Sequence, residues 1–242
     1  MKFLFDLYGT LIDIKTDETS DAFWKKVSGL FLKQGLDVAA LRADYAAFCA
    51  LEKEGKAPLE EIELRNVFAR LLEKNDEGPY PGEERIEMFA RAFRDASMRK
   101  FRLFPGVDKM LKNLKTTGAG IYLLSNAQAC FTRDELLESG LCTYFDGIML
   151  SSEIGYKKPS PRFFEAAFEK YGLRREDCVY VGNDLRDDVY GARGVGMKTV
   201  YIHTDQSGCY APNEYLSADY TAKNHVGLEK LLLAMQTRAT DI

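Results

Sequence analysis

The chain has 242 residues, of which 46% are hydrophobic and 29% are charged, the balance of an ordinary water-soluble globular protein. Its formal net charge of -4 leaves no basic surplus for nucleic acid, and no apolar run approaches the roughly 20 residues that cross a bilayer. Five cysteines, odd in number and without CxxC spacing, predict reduced thiols in a cytoplasmic protein and argue against a disulfide framework or a zinc site. The charge of Asp6 argues against a secretory signal in the first residues.

The chain begins with an apolar run, residues 2–5, that predicts a buried strand ending on Asp6. Residues 20–54 and 59–75 then have apolar side chains at helical spacing, and a further helix is predicted around residues 86–93. A breaker cluster at residues 78–82 separates the last two of these helical stretches. No strand is predicted between residues 14 and 98.

From Leu103 onward, predicted strands alternate with predicted helices, which favours an α/β fold with a Rossmann-like parallel sheet covered on both faces. Because the helical stretch interrupts the sheet after its first strand, we expect a core of residues 1–14 and 98–242 and an inserted helical cap of residues 15–97. The predicted strands are residues 120–126, 145–151, 178–182, 198–203 and a short one near Tyr220, with helices at 107–114, 134–139, 161–171, 187–194 and 227–237.

Polar residues follow the predicted strands, and in an open parallel sheet ligands bind beyond the carboxyl ends of the strands. Together these residues offer a carboxylate, hydroxyl and amide groups, a lysine and an acidic cluster. Such groups can hold a divalent cation and an anionic group side by side. They are Asp6, Tyr8, Thr10, Ser125, Asn126, Lys157, Lys158, Asn183, Asp184, Asp187 and Asp188.

Four segments in order resemble the four motifs of the haloacid dehalogenase-like (HAD) hydrolase superfamily. They are residues 5–11 (FDLYGTL), 124–126 (LSN), 155–164 (GYKKPSPRFF) and 181–188 (VGNDLRDD). The helical insertion directly after the first motif resembles the superfamily's helical cap. The resemblance covers most of the chain and implies an enzyme with a covalent mechanism.

The resemblance also implies a role for each matching residue. Asp6 is expected to attack the substrate and form a covalent aspartyl intermediate, with Thr10 beside it. Ser125 and Asn126 are expected to bind an oxygen of the substrate, and Lys158 to hold Asp6 and balance negative charge.

The resemblance further implies a Mg²⁺ ion bound by Asp6, the backbone carbonyl of Tyr8 and the acidic cluster. Two alignments of the fourth motif stay open: Asp184 is the metal ligand in one and Asn183 in the other. We favour Asp184 because Mg²⁺ prefers a carboxylate. Asp188 is expected to orient the other ligands, and Asp187 to be exposed to solvent.

Tyr8 departs from the superfamily's phosphatases, which carry at this position a second aspartate as general acid and base. A phenol with a pKa near 10 is a poor base at neutral pH. Three interpretations compete: a metal-independent 2-haloacid dehalogenase, which also has tyrosine there; a Mg²⁺-dependent phosphatase acting on good leaving groups or using an acid from the cap; and a protein that binds without turnover.

The acidic cluster favours the phosphatase, because three aspartates make more sense beside a cation. The dehalogenases also use an arginine early in the cap, where residues 20–45 offer only Arg42. We therefore expect hydrolysis of a small phosphorylated metabolite, with neither nucleic acid nor a membrane as partner. The sequence predicts neither the identity of the substrate nor the oligomeric state.

Overall fold

The computed structural model describes residues 1–33, 35–74, 82–210 and 217–240. Within these residues, six strands form one sheet: β1 (Lys2–Phe5), β4 (Gly120–Ser125), β5 (Gly147–Leu150), β6 (Cys178–Gly182), β7 (Lys198–Ile202) and β8 (Tyr220–Ala222). They are parallel and lie in the order β5-β4-β1-β6-β7-β8, which confirms the α/β fold class.

Helices cover both faces of this sheet. They are α5 (Val107–Thr116), α6 (Ala129–Glu138), α7 (Ser151–Ile154), α8 (Pro161–Tyr171), α9 (Gly191–Gly194) and α10 (His225–Thr240), together with 3₁₀ turns at Leu141–Tyr144 and Arg175–Asp177 and a π-helical turn at Leu185–Tyr190. Among the described residues, none of the helices is both long and apolar enough to cross a membrane.

Strand β1 lies in the middle of the sheet, between β4 and β6. Phe3 and Phe5 pack on the face that contains α5 and α10, and Leu4 packs on the opposite face against α8. All three side chains are fully buried, which explains the unbroken apolar run of this strand. Strands β4 and β5 lie on one side of β1, and the later strands β6, β7 and β8 lie on its other side. The carboxyl end of β1 is therefore the topological switch point of the sheet, where ligands bind in such folds.

Four helices follow the first strand in sequence and share a hydrophobic cluster of their own, which Phe131 of α6 joins. The helices are α1 (Asp21–Leu32), α2 (Leu41–Lys53), α3 (Leu64–Glu73) and α4 (Glu83–Ser97). That residues 15–97 form a separate cap domain stays a prediction.

An antiparallel ribbon of β2 (Ile12–Thr16) and β3 (Met98–Leu103) connects the sheet with these four helices. The expectation of no strand between residues 14 and 98 is wrong at both ends of that range, because β2 continues to Thr16 and β3 begins at Met98. Strand β3 itself was not predicted. The charged residues Lys15, Lys100 and Arg102 interrupt the apolar pattern that predicts a strand. Two of them instead pair with the buried Asp13.

Several helix ends differ from the predicted ones. Helix α6 begins at Ala129 rather than 134, and the turn expected from residue 187 begins at Leu185. The side chain of Asp184 accepts hydrogen bonds from the backbone N–H groups of Arg186 and Asp187, so it starts this turn as an N-cap. Of the predicted breaker cluster at 78–82, residues 78–81 lie outside the described part of the chain.

Candidate active site

Asp6 lies directly beyond the carboxyl end of β1, where its N–H donates to the carbonyl of Val181 at 2.9 Å. Its side chain is buried, and three donors surround it. Oδ1 accepts from Lys158 Nζ at 2.7 Å and from Ser125 Oγ at 3.1 Å, and Oδ2 accepts from Thr10 Oγ1 at 3.1 Å. The structure thus brings together four of the predicted site residues, although three of them are distant in sequence.

Lys158 is only 2% exposed, yet each of its three ammonium protons has an acceptor. Nζ lies 2.7 Å from Asp6, 2.6 Å from Asp188 and 2.9 Å from Tyr180 Oη. Burial alone would lower the pKa of Lys158, but the neighbouring carboxylates of Asp188 and Asp6 raise it well above its usual value. The lysine is therefore a fixed positive charge beside the expected nucleophile.

Asn126 holds the backbone of Lys158 in place. Its Oδ1 accepts from the Lys158 N–H at 2.7 Å, and its Nδ2 lies 3.1 Å from both the Lys158 carbonyl and Asp187 Oδ2. These contacts occupy the amide that was expected to bind substrate. Its observed contacts position the lysine loop.

Asp188 is 1% exposed and uses both carboxylate oxygens within the protein. Oδ1 accepts from Lys158, and Oδ2 accepts from the backbone N–H of Asp184 at 2.9 Å. Burial raises the pKa of Asp188 above its usual value, although Lys158 opposes this shift. A Cβ at Gly182 would lie 2.3 Å from Asp188 Cγ, so a glycine at position 182 lets this carboxylate reach the lysine.

Two further aspartates stand at the mouth of the site. Asp184 Oδ1 accepts the N–H groups of Arg186 and Asp187 at 2.8 and 2.7 Å, and Oδ2 accepts from Tyr210 Oη at 2.6 Å. Asp187 was expected to be exposed but is half-buried. Burial raises its pKa, and the nearby charge of Asp184 raises it further.

Asn183 faces Asp6 across the hydroxyl of Thr10. Thr10 Oγ1 lies 3.0 Å from Asn183 Oδ1 and 3.1 Å from Asp6 Oδ2, so two acceptor oxygens converge on a group with one proton. Gly9 makes this approach possible: its φ is +82°, and a Cβ there would lie 2.5 Å from Asn183 Nδ2.

These residues line a cavity of about 190 Å³ whose charged side chains are four aspartates and one lysine. The aspartates are Asp6, Asp184, Asp187 and Asp188. Among the described residues, no three Asp, Glu, His or Cys side chains converge on one metal position. A cation here would also need the Tyr8 carbonyl or Asn183 Oδ1. Such an oxygen-only set with few protein ligands fits Mg²⁺, which keeps several of its waters.

The Tyr8 hydroxyl is hydrogen-bonded to side chains of helix α6. It donates a short hydrogen bond to Glu135 and lies 2.8 Å from Thr132 Oγ1. Arg94 lies over the Tyr8 ring and bonds Glu135 at 2.6 Å. Burial and then the charge of Glu135 raise the pKa of Tyr8, so its phenol stays protonated with the proton directed to Glu135.

Sequence reasoning missed several residues of the site. Tyr180 lies on β6 and is 1% exposed, and its buried hydroxyl is not apparent from an apolar strand pattern. Gln206 lines the cavity and Tyr210 bonds Asp184, but both lie in a loop with no periodicity to read. Glu135 and Arg94 are largely buried, although the amphipathic pattern of a helix predicts that its charged residues lie on the exposed face.

A family model described as haloacid dehalogenase-like hydrolase matches residues 3–196 of the chain. The chain belongs to this hydrolase family. A phosphoserine phosphatase from Thermus thermophilus is 29% identical over 164 residues, which is 68% of this chain and 64% of that protein. A glyceraldehyde 3-phosphate phosphatase from Methanothermobacter thermautotrophicus is 29% identical over 127 residues, 51% of this chain and 56% of that protein.

The match thus spans somewhat more than half the length of these two relatives. Among solved structures, a 2-haloacid dehalogenase from Pseudomonas syringae superposes with a TM-score of 0.67 at 21% identity. That superposition covers 97% of this chain and 99% of the dehalogenase, and at this identity it shows a shared fold.

Proposed function

We propose that this hydrolase is a Mg²⁺-dependent phosphatase of small phosphorylated metabolites that uses Asp6 as its nucleophile. The observation that carries the proposal is the charge of the cavity: four aspartates surround one lysine, and that lysine is already shared by two of them. A site with this excess of negative charge binds a phosphate dianion only when a cation is added. The phosphatase names of the two relatives support the same reaction.

In the proposed reaction, Asp6 attacks phosphorus and the ester oxygen leaves on the opposite side. Ser125 and Lys158 fix the Asp6 carboxylate, so that its orientation is set before substrate arrives. The ammonium of Lys158 balances the charge that develops on the phosphoryl group. Water then attacks the aspartyl phosphate and releases inorganic phosphate.

The residues that would hold Mg²⁺ are Asp6, the carbonyl of Tyr8 and either Asn183 or Asp184. When bound, the ion would neutralise the phosphate and offset the repulsion among the aspartates. Asp188 belongs to the acidic cluster predicted around the metal, but it is 1% exposed and its Oδ1 accepts from the Lys158 ammonium at 2.6 Å. We assign it to positioning Lys158.

A metal-independent 2-haloacid dehalogenase is the second candidate, because Tyr8 occupies the position of the missing aspartate. Among the described residues, no arginine from the early cap lines the cavity that contains Asp6. Arg42 instead lies on the surface, 57% exposed, and pairs with Asp21 at 2.9 Å.

The two candidates separate in one assay series. Phosphate esters and acyl phosphates are tested with Mg²⁺ or with EDTA, beside 2-chloropropionate. Phosphate release that requires Mg²⁺ and is lost in Asp6→Asn supports the proposal. Chloride release in EDTA would overturn it in favour of the dehalogenase, and absence of any turnover would leave a binding protein.

A further inference from the structure

A second cavity adjoins the one that contains Asp6. It has a volume of about 320 Å³ and shares Tyr8 and Asn126 with the first cavity. Among the described residues, its charged side chains are the carboxyl groups of Glu18 and Glu61 and the guanidinium of Arg94, and apolar and uncharged polar side chains form the other walls. On the proposed function, a substrate whose phosphate contacts Asp6 extends its alcohol portion into this second cavity.

The leaving alcohol needs a proton, since an alkoxide is a very poor leaving group at neutral pH. Tyr8 does not supply it, because its hydroxyl proton is bonded to Glu135. Glu61 is an acceptor: Oε1 accepts from the N–H of Ile62 and Oε2 from the hydroxyl of Ser151, both at 3.1 Å.

Glu18 is in a different situation. Within the described part of the chain, no donor is hydrogen-bonded to its carboxyl group, and the nearest cation is Arg94 at 3.6 Å. That arginine makes its closer ion pair, at 2.6 Å, with Glu135. The side chain of Glu18 is 35% exposed, so it is accessible from the cavity that it lines.

We propose that Glu18 is the general acid and base of this enzyme and replaces the aspartate that is missing at position 8. In the first step, the bond from Asp6 to phosphorus forms, the bond from phosphorus to the ester oxygen breaks, and the Glu18 carboxyl proton moves to that oxygen. In the second step, Glu18 takes a proton from water as the water oxygen bonds to phosphorus and the bond to Asp6 breaks.

The surroundings of Glu18 make its protonation easier than that of an ordinary exposed glutamate. Burial raises the pKa of Glu18, and Arg94 opposes the shift. The other titratable groups near it are Tyr45 and Cys49 of α2, Tyr8 and Glu61 across the cavity, and Lys15, Asp17 and Arg99 around a further cavity that Glu18 also lines. Arg99 pairs with Asp17 at 3.3 Å, and among the described residues Arg94 is the cation within 4 Å of the Glu18 carboxyl group.

The test compares Glu18→Gln with wild type on two Mg²⁺-dependent reactions, hydrolysis of an alkyl phosphate and of p-nitrophenyl phosphate. Glutamine keeps the shape but carries no proton to give. We expect kcat/KM for the alkyl ester to fall about 10²- to 10⁴-fold, and that for the aryl ester to fall far less, because nitrophenolate leaves unprotonated. The fall of kcat/KM with rising pH should also disappear.

Glu63→Gln is the matched control: burial raises the pKa of Glu63 too, but this residue does not line the cavity. It should leave both reactions and the pH profile unchanged. Equal losses on the two esters, or no loss on either, in Glu18→Gln would overturn the role of Glu18 while the phosphatase proposal stands. Absence of phosphate release from either ester in the wild type would instead overturn the phosphatase proposal itself.

Discussion

Tyr8 joins the nucleophile loop to the neighbouring helix, because its hydroxyl contacts Thr132 and Glu135 on α6. Asp6 lies two residues before it, so a fixed Tyr8 restricts the backbone that carries the nucleophile. The tyrosine therefore has a positioning role through its side chain, and its carbonyl is a candidate metal ligand. No chemical step in the proposed mechanism needs the phenol.

The first prediction concerns Tyr8→Phe, which removes only the hydroxyl. We expect turnover to stay within a few-fold of wild type, and the preference between alkyl and aryl esters to stay the same. The free energy of unfolding should fall by about 1–3 kcal/mol, because the buried Glu135 loses a donor. Steady-state kinetics and urea denaturation measure the two effects.

Tyr144→Phe is the control for this change, since it removes a phenol-carboxylate hydrogen bond, to Asp108 at 2.6 Å, in an exposed position. It should cost less stability than Tyr8→Phe. A collapse of turnover on alkyl esters alone in Tyr8→Phe would show that the phenol is the acid after all.

For individual residues of the site, the sequence predicted which ones lie close together, because each follows a strand and the carboxyl ends of parallel strands share one edge of the sheet. Asp6, Thr10, Ser125 and Lys158 were predicted on that basis together with the motifs. The individual partners were not predictable: the bonds of Asn126 to the lysine loop depend on side-chain directions that no spacing encodes.

Among the elements, α4 and α6 are joined by a buried ion pair between Arg94 and Glu135. Their side chains are 13% and 6% exposed, and the nearest atoms lie 2.6 Å apart. Phe131 of α6 also packs into the hydrophobic cluster of helices α1 to α4. These contacts link the helical insertion to α6, whose Thr132 and Glu135 are hydrogen-bonded to the Tyr8 hydroxyl.

The second prediction is a double-mutant cycle with Arg94→Met and Glu135→Gln. We expect a coupling energy of about 1–3 kcal/mol, because removing one partner leaves the other charge buried. The exposed pair Arg42 and Asp21 is the matched control and should show coupling of about 0–1 kcal/mol. Equal coupling in the two cycles would refute a special role for the buried pair.

The order of strands and helices in the core followed from alternation of apolar runs, which works well where strands are buried on both faces. The β2–β3 ribbon escaped the same reasoning because it is short and partly exposed, and its pairing joins residues far apart in sequence. The turn begins early, at Leu185, because the Asp184 side chain caps it. Whether an aspartate caps a turn or bonds elsewhere depends on nearby backbone groups, which hydrophobic periodicity does not reveal.

Across the whole molecule, negative charge concentrates at the switch point of the sheet, where four aspartates line one cavity. Like charges held together in a folded chain repel one another, and the unfolded chain relieves that repulsion. A cation that binds there should therefore stabilise the native state as well as assist the proposed reaction.

The third prediction is that Mg²⁺ raises the melting temperature of the wild type and that EDTA reverses the rise, since an ion that binds only the native state stabilises it by mass action. In Asp6→Asn the rise should be smaller, while Asp95→Asn, which changes an exposed aspartate, should respond like wild type. An equal response in wild type and Asp6→Asn would remove Asp6 from the metal site.

The most direct test of the account is to identify the covalent intermediate. Wild-type protein with Mg²⁺ and a phosphate ester is quenched in acid within a single turnover, and the peptide that contains Asp6 is examined by mass spectrometry. The account predicts that this peptide gains the mass of one phosphoryl group and that the gain localises to Asp6. Phosphate release with no adduct on Asp6, or with the adduct on another residue, would contradict it.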